Sequence, residues 1–242
     1  MDKVKEKIIT VTSNKGGTGK TTVSLCLALY FSCKKNRKTL LLEMDSSPGD
    51  FTVLFDADDD NSIEIALKFP SKLANYAKNV GNNLDIIKGF SNPLSAEEVK
   101  TDEINNLLST ALKKYEIIIV DTQNVLNGSI VDVLKITDYV FLISDLEIES
   151  LYRNLEFINL LKSKFLLHHD NFYFLINKKR FIDIFKIMDI SKVITLPIMG
   201  FISFERNFNK SLVMKNKNKF LKTRTFINMS KILEGFYLKN IV

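Results

Sequence analysis

Tryptophan is absent from this 242-residue sequence, and cysteine, histidine and proline are scarce, at two, two and four. The two cysteines, Cys26 and Cys33, fall in one helix-like segment. Their spacing is that of neither a metal pair nor a redox pair, so free thiols are expected. The two histidines, His168 and His169, stand beside Asp170 in what reads as a solvated helix-to-strand loop rather than a metal site. No apolar run approaches the roughly eighteen residues that a membrane-spanning helix needs. Charged Met1–Lys7 leads into Ile8–Val11, a run too short for a signal-peptide core, which places the protein in the cytoplasm. Acid is missing from one long stretch. Between Arg206 and Arg224 there are seven basic residues (Arg206, Lys210, Lys215, Lys217, Lys219, Lys222 and Arg224) and no carboxylate. Such a stretch suits DNA phosphates or anionic lipid, or simply a solvated loop and helix face. The net charge of the whole chain is only +6.

What is abundant is the short apolar run. KIITVTS (Lys7–Ser13), TLLLEM (Thr39–Met44), IIIV (Ile117–Val120), Tyr139–Ile143, Phe172–Ile176 and Ile198–Ile202 read as strands, with Leu84–Ile87 as an addition. Helix-like segments lie between them at Thr21–Ser32, Ser62–Phe69, Glu98–Tyr115, Ile130–Ile136, Ser150–Phe165, Phe181–Met188 and Phe226–Leu238. Apolar strands alternating with helices predict an α/β fold whose mostly parallel, twisted sheet is covered on both faces. Pro48–Gly49, Pro93 and Asn127–Gly128 fall between elements. Asp56–Asp60 reads as a surface turn. No repeat or linker divides the chain, so residues 1–242 are expected to form one domain.

The first strand is followed by Ser13–Thr22, SNKGGTGKTT, which then opens a helix. That context makes a glycine-rich string a phosphate loop. Gly16, Gly17 and Gly19 let the backbone wrap a phosphate, and the helix beginning near Lys20 aims its positive end at the same place. Lys20 reaches β- and γ-phosphates, and the Thr21 hydroxyl coordinates Mg²⁺, with Thr18 and Thr22 completing the nucleotide-binding segment. Asn14 stands where the pattern G-x-x-x-x-G-K-[ST] has glycine; asparagine tolerates left-handed backbone better than most residues, so the loop is still expected to form. Asp121 closes YEIIIVD, an apolar strand ending in a carboxylate, which is the form of a second Mg²⁺ residue.

KGGTGKTT, with Lys15 ahead of the glycine pair, resembles the deviant phosphate-loop motif of the MinD/ParA ATPases, and the resemblance covers nearly the whole chain. It implies an ATP-dependent homodimer in which Lys15 crosses the interface to the partner's phosphates. It also implies that Asp45, in a switch read here as Glu43-Met44-Asp45, lies near Mg²⁺ and the attacking water. Asn177, ending FYFLIN, matches the position of an adenine-contacting asparagine. LPIMGFISFER resembles the segment that lines the base, with Ser203 in place of a usual proline; Thr122–Gln123 likewise follow Asp121 where proline is usual.

Within the family, SSPGDFTVLFD, SNPLSAEEV and DLEIESLYRNLEFINLL look most like the TadZ/CpaE and MinD branch, but without the receiver-like N-terminal domain common in TadZ and CpaE proteins. The implied function is a slow, partner-stimulated ATPase switch that positions a pilus or secretion apparatus, a flagellum or a division site. Its expected partner is a protein of such a system, with peripheral membrane contact a further option. The alternative is a partition ATPase that binds DNA nonspecifically. Metal-insertion relatives need cysteines later in the chain, and none follows Cys33. A tyrosine-kinase relative needs a C-terminal tyrosine cluster, which is missing. The apolar spacing of Phe226, Ile227, Ile232, Leu233 and Phe236 suits a final core helix better than a lipid anchor.

Overall fold

The order of the strands explains most of the architecture. In a computed structural model, residues 6–45, 49–167, 170–183, 187–206, 208 and 217–241 are described. His168, His169, Pro48, Lys210 and Lys215 lie outside them. β1 (Lys7–Thr12), β2 (Thr39–Met44), β3 (Lys78–Asn79), β4 (Leu84–Ile87), β5 (Ile117–Thr122), β6 (Tyr139–Ser144), β7 (Phe172–Lys179) and β8 (Ile198–Ser203) form one sheet in the order β3-β4-β2-β5-β1-β6-β7-β8. All neighbours are parallel except β3 against β4. Because the strands are parallel, their C-terminal ends share one edge, where loops of α/β folds place their ligand sites.

Side chains along a strand alternate between faces. Ile9, Val11, Leu41, Ile117, Ile119, Phe141, Ile143 and Leu175 join one core layer with α1 (Lys20–Leu29) and the last helix, α11 (Arg224–Asn240). Ile8, Leu40, Leu42, Ile118 and Val120 face the other way, onto α3 (Ile63–Lys68) and α6 (Thr101–Leu112). Val140, Leu142, Phe174 and Ile176 pack with α7 (Gly128–Ile136) and α8 (Ile148–Phe165). α1 is buried from Val23 to Leu29, as an all-round apolar helix must be, and runs on as a π-helical turn over Tyr30–Lys34.

α11 belongs to the core. Phe236 meets the rings of Tyr139, Phe141 and Tyr173 edge-on at centroid separations of 5.0, 5.1 and 5.1 Å. Each such pair adds about 0.5–1.5 kcal/mol to the area buried. Phe226 and Leu233 are fully buried beside it, and Ile232 packs partly against the same layer. No helix among the described residues is long and apolar enough to cross a membrane.

Several short elements had no sequence signal: α2 (Phe51–Phe55), α4 (Leu73–Tyr76), β3, α5 (Pro93–Glu97) and α10 (Lys217–Phe220). The helix expected over Glu98–Tyr115 occupies Thr101–Leu112, its start held by the Glu103 carboxylate, which accepts from the Lys100 N–H at 2.9 Å. The helix expected over Phe181–Met188 is corrected: residues 181–182 form a turn, and α9 spans Ile187–Ile190. Phe181 and Ile182 are solvent-exposed, so their apolar character marks no buried helical face. The Asp56–Asp60 turn is at the surface, with Asp58 capping a 3-10 turn at Asp59–Asn61.

Candidate phosphate and metal site

The Ser13–Thr22 loop forms because two of its glycines take left-handed backbone. Gly17 has φ 75° and Gly19, the residue before α1, φ 98°. The loop is braced by Ser13 Oγ, which accepts from the Lys15 N–H at 3.3 Å, and by Thr18 Oγ1, which donates to the Lys15 carbonyl at 3.3 Å. Asn14 does not take left-handed backbone, so the loop forms without drawing on that tolerance. Asn14 serves the loop by docking on α8 instead: its N–H donates to Asn154 Oδ1 and its Nδ2 to the Arg153 carbonyl, both at 3.1 Å. α1 carries no acidic residue in its first turn, so the positive end of the helix faces the loop without a countercharge of its own.

Lys20, first residue of α1, lies within electrostatic reach of Asp121, Asp45 and Asp50. Burial pushes its ammonium below the usual lysine range, and the three carboxylates oppose that shift. Asp121 is buried at the end of β5, in register with Val11 of β1 and Glu43 of β2. Burial raises its carboxyl to about 6, against hydrogen bonds from the Thr21 and Ser24 hydroxyls and the charge of Lys20. The Ser24 bond measures 2.9 Å. Thr21 and Asp121 therefore share one small polar space. Their oxygen donors fit a hard cation such as Mg²⁺, which takes few protein ligands and draws the rest from water and phosphate. Among the described residues no cluster of three or more His, Cys, Asp or Glu that could hold a metal ion is present.

Glu43 has a definite place. Its Oε2 accepts from the Gly89 N–H at 2.8 Å and its Oε1 from the Phe51 N–H at 3.3 Å. The carboxyl lies so close to Gly49 and Gly89 that a β-carbon at either would overlap or crowd it. Burial raises it to about 8; the two N–H bonds lower it, while Asp121 and Asp45 add repulsion. Glu43 thus links Phe51, at the start of α2, to Gly89 beyond β4, and the Asp45 carbonyl is fixed by the neighbouring Phe90 N–H at 3.0 Å.

Lys15 turns toward the β6–α8 loop of its own chain, with Nζ 2.5 Å from Glu147 Oε2 and 3.5 Å from Asp145 Oδ2. Asn177, buried at the end of β7, donates from Nδ2 to the Thr18 carbonyl at 2.8 Å. Beyond it, Arg180 stacks over the Phe204 ring at 4.8 Å and Lys179 over Phe201 at 5.1 Å. A cavity of about 430 Å³ beside them is lined by Leu146, Glu147, Ile148, Glu149, Arg180, Ile182 and Asp183. Ser203 uses the N–H that a proline lacks: it donates to Asn228 Oδ1 at 3.4 Å.

A family model described as an AAA domain matches residues 6–169. The chain belongs to the AAA-domain family. Its structural neighbours are ParA- and MinD-type ATPases, and it shares their P-loop fold. A plasmid partition protein from Borrelia burgdorferi B31 bound to AMPPNP is 25% identical, with a TM-score of 0.79 over 97% of this chain and 100% of that one. A ParA family ATPase from Chlorobium tepidum TLS is 18% identical, with a TM-score of 0.83 over 97% and 99%. The septum site-determining protein MinD from Pyrococcus horikoshii OT3, complexed with Mg-ADP, is 20% identical, with a TM-score of 0.79 over 96% of each chain. No curated protein matches the sequence.

In this AAA-domain chain Thr21 hydrogen-bonds Asp121 at the sheet edge, and Lys20 lies within electrostatic reach of Asp121 and Asp45. Sequence reasoning did not find Ser24, Asp50, Asp145, Glu147 or Lys178. Ser24 lies one turn beyond Lys20 and Thr21 on α1, and that spacing was the available signal. The others meet the loop only through the fold.

Proposed function

We propose that the chain is an ATP-dependent dimerisation switch with slow, Mg²⁺-dependent ATP hydrolysis. The single observation that carries this reading is the position of Lys20, half-buried at the positive end of α1 directly after the glycine loop and within electrostatic reach of Asp121, Asp45 and Asp50. That geometry matches a triphosphate whose oxygens take Lys20 and the loop N–H groups, with Thr21 and Asp121 on the cation side. Bound Mg²⁺ would neutralise phosphate charge. Asp45 orients the attacking water from the end of β2. Lys15 leaves Asp145 and Glu147 to reach a partner's phosphates, which makes association depend on the nucleotide. The work of the switch is to position a cellular machine through a protein partner, which also stimulates hydrolysis. The TadZ/CpaE and MinD branch is the proposed place within the family.

A second reading, a partition ATPase that binds DNA nonspecifically, draws on the Borrelia plasmid partition protein and on the basic C-terminal stretch. Lys217 in that stretch is already engaged, with Nζ donating to the Val80 carbonyl at 2.8 Å. Arg206, Lys222 and Arg224 are exposed. ATP-dependent, salt-sensitive binding of duplex DNA would favour this reading over the first.

Calorimetry on Lys20→Ala tests the shared foundation. Loss of a charge-assisted contact of about 1.5–3 kcal/mol should weaken Mg–ATP binding by roughly ten- to a hundredfold or more. Unchanged affinity would remove the loop from the proposal.

A further inference from the structure

At the end of β7 two consecutive side chains turn onto two consecutive carbonyls of the phosphate loop. Asn177 Nδ2 donates to the Thr18 carbonyl at 2.8 Å, and Lys178 Nζ donates to the Gly17 carbonyl. Their approach is built into the backbone. The pairing of β7 with β8 is irregular between Ile176 and Lys179, and Lys178 has φ 55°, a left-handed conformation disfavoured for a residue with a β-carbon. The fit is close: a β-carbon on Gly19 would overlap the Asn177 amide. Asn177 is 4% exposed. Only the NH₂ end of its amide can face a carbonyl oxygen favourably.

A peptide unit is planar, so fixing its carbonyl fixes its N–H on the opposite side. The Gly17 carbonyl shares a unit with the Thr18 N–H, and the Thr18 carbonyl with the Gly19 N–H. These are the donors with which a glycine loop holds phosphate. Glycine at 17 and 19 makes the same units easy to flip. The geometry points to Asn177 and Lys178 as positioning residues that hold the Thr18 and Gly19 N–H groups toward the phosphate chain, a role that does not depend on the base. The inference rests on the proposed phosphate site and adds to it the device that keeps the loop ready.

The test uses the full chain, with calorimetry of Mg–ATP, Mg–GTP and Mg–tripolyphosphate. Asn177→Leu removes the donor at similar volume and should weaken all three by a common factor of roughly ten or more. Lys178→Met should weaken all three by a smaller common factor, and Lys178→Arg should restore binding. Lys178 is exposed, so this pair keeps the test open should Asn177→Leu fail to fold. The amide ¹H–¹⁵N signals of Thr18 and Gly19 should move in both donor-deleting variants without ligand, while thermal midpoints of folded variants stay near wild type. Weakened ATP binding with unchanged tripolyphosphate binding would make Asn177 a base reader and overturn the inference. Unchanged binding of all three probes would also overturn it. A wild type that binds neither ATP nor tripolyphosphate would overturn the phosphate site and this inference with it.

Discussion

Lys15 and Glu147 form an ion pair across the mouth of the phosphate loop, with Nζ 2.5 Å from Oε2. Asp145 stands behind it at 3.5 Å. The pair holds within one chain the cation that the proposed switch sends to another. Its acid is exposed and is drawn below the usual carboxylate range by the hydrogen bond and charge of Lys15. Solvent screening keeps such a pair weak, so a modest competing attraction can open it.

Removing the acid should favour the partner. Glu147→Gln is expected to tighten the Mg–ATP dimer a few-fold, as read by sedimentation across a concentration series. A looser dimer would show that Glu147 aims Lys15 rather than retaining it.

Asp45 is expected to separate binding from turnover. Asp45→Ala should keep Mg–ATP affinity within about threefold, since Lys20 and the loop remain. Its phosphate release should fall by at least about a hundredfold, the usual scale for loss of a group acting on the attacking water. The variant should accumulate as an ATP-bound dimer. Normal phosphate release would strike Asp45 from the reactive centre.

Glu43 makes stability depend on pH. Its carboxyl rises from 4.5 in the ordinary state to about 8 in the fold because it is buried. Between those values the folded chain holds a proton that the unfolded chain has released. Stability therefore falls as pH climbs from about 4.5 to about 8 and levels off beyond. Asp121, pushed up to about 6, adds to the same trend. Glu43→Gln should flatten the melting profile of the ligand-free protein over that interval, even if the amide lowers stability at every pH. Parallel profiles for the two proteins would refute the assignment.

Much of the fold was legible before any coordinates. Apolar runs marked the seven parallel strands, because strands covered on both faces need little else. β2 appears at the expected residues, Thr39–Met44, and the phosphate loop was readable from its glycines and Lys20. The hydrogen bonds of Asn14 to α8, which hold it without left-handed backbone, had no sequence signal. Residue type misled at Phe181 and Ile182, which are apolar but exposed. Short elements such as α2 and α4 are too small to carry a periodicity. The tethers escaped notice for another reason. Glu43 to Gly89, Lys15 to Glu147 and Asn177 to Thr18 join residues 46, 132 and 159 positions apart, and only the strand order brings them together.

The central claim is that ATP joins two copies through Lys15. Light scattering on wild type and Lys15→Ala, each with Mg–ATP and with Mg–ADP, tests it most directly. The account predicts twice the monomer mass for wild type in Mg–ATP alone, and monomer for Lys15→Ala in both nucleotides. A wild type that binds Mg–ATP yet stays monomeric, or a Lys15→Ala variant that dimerises as well as wild type, would contradict it.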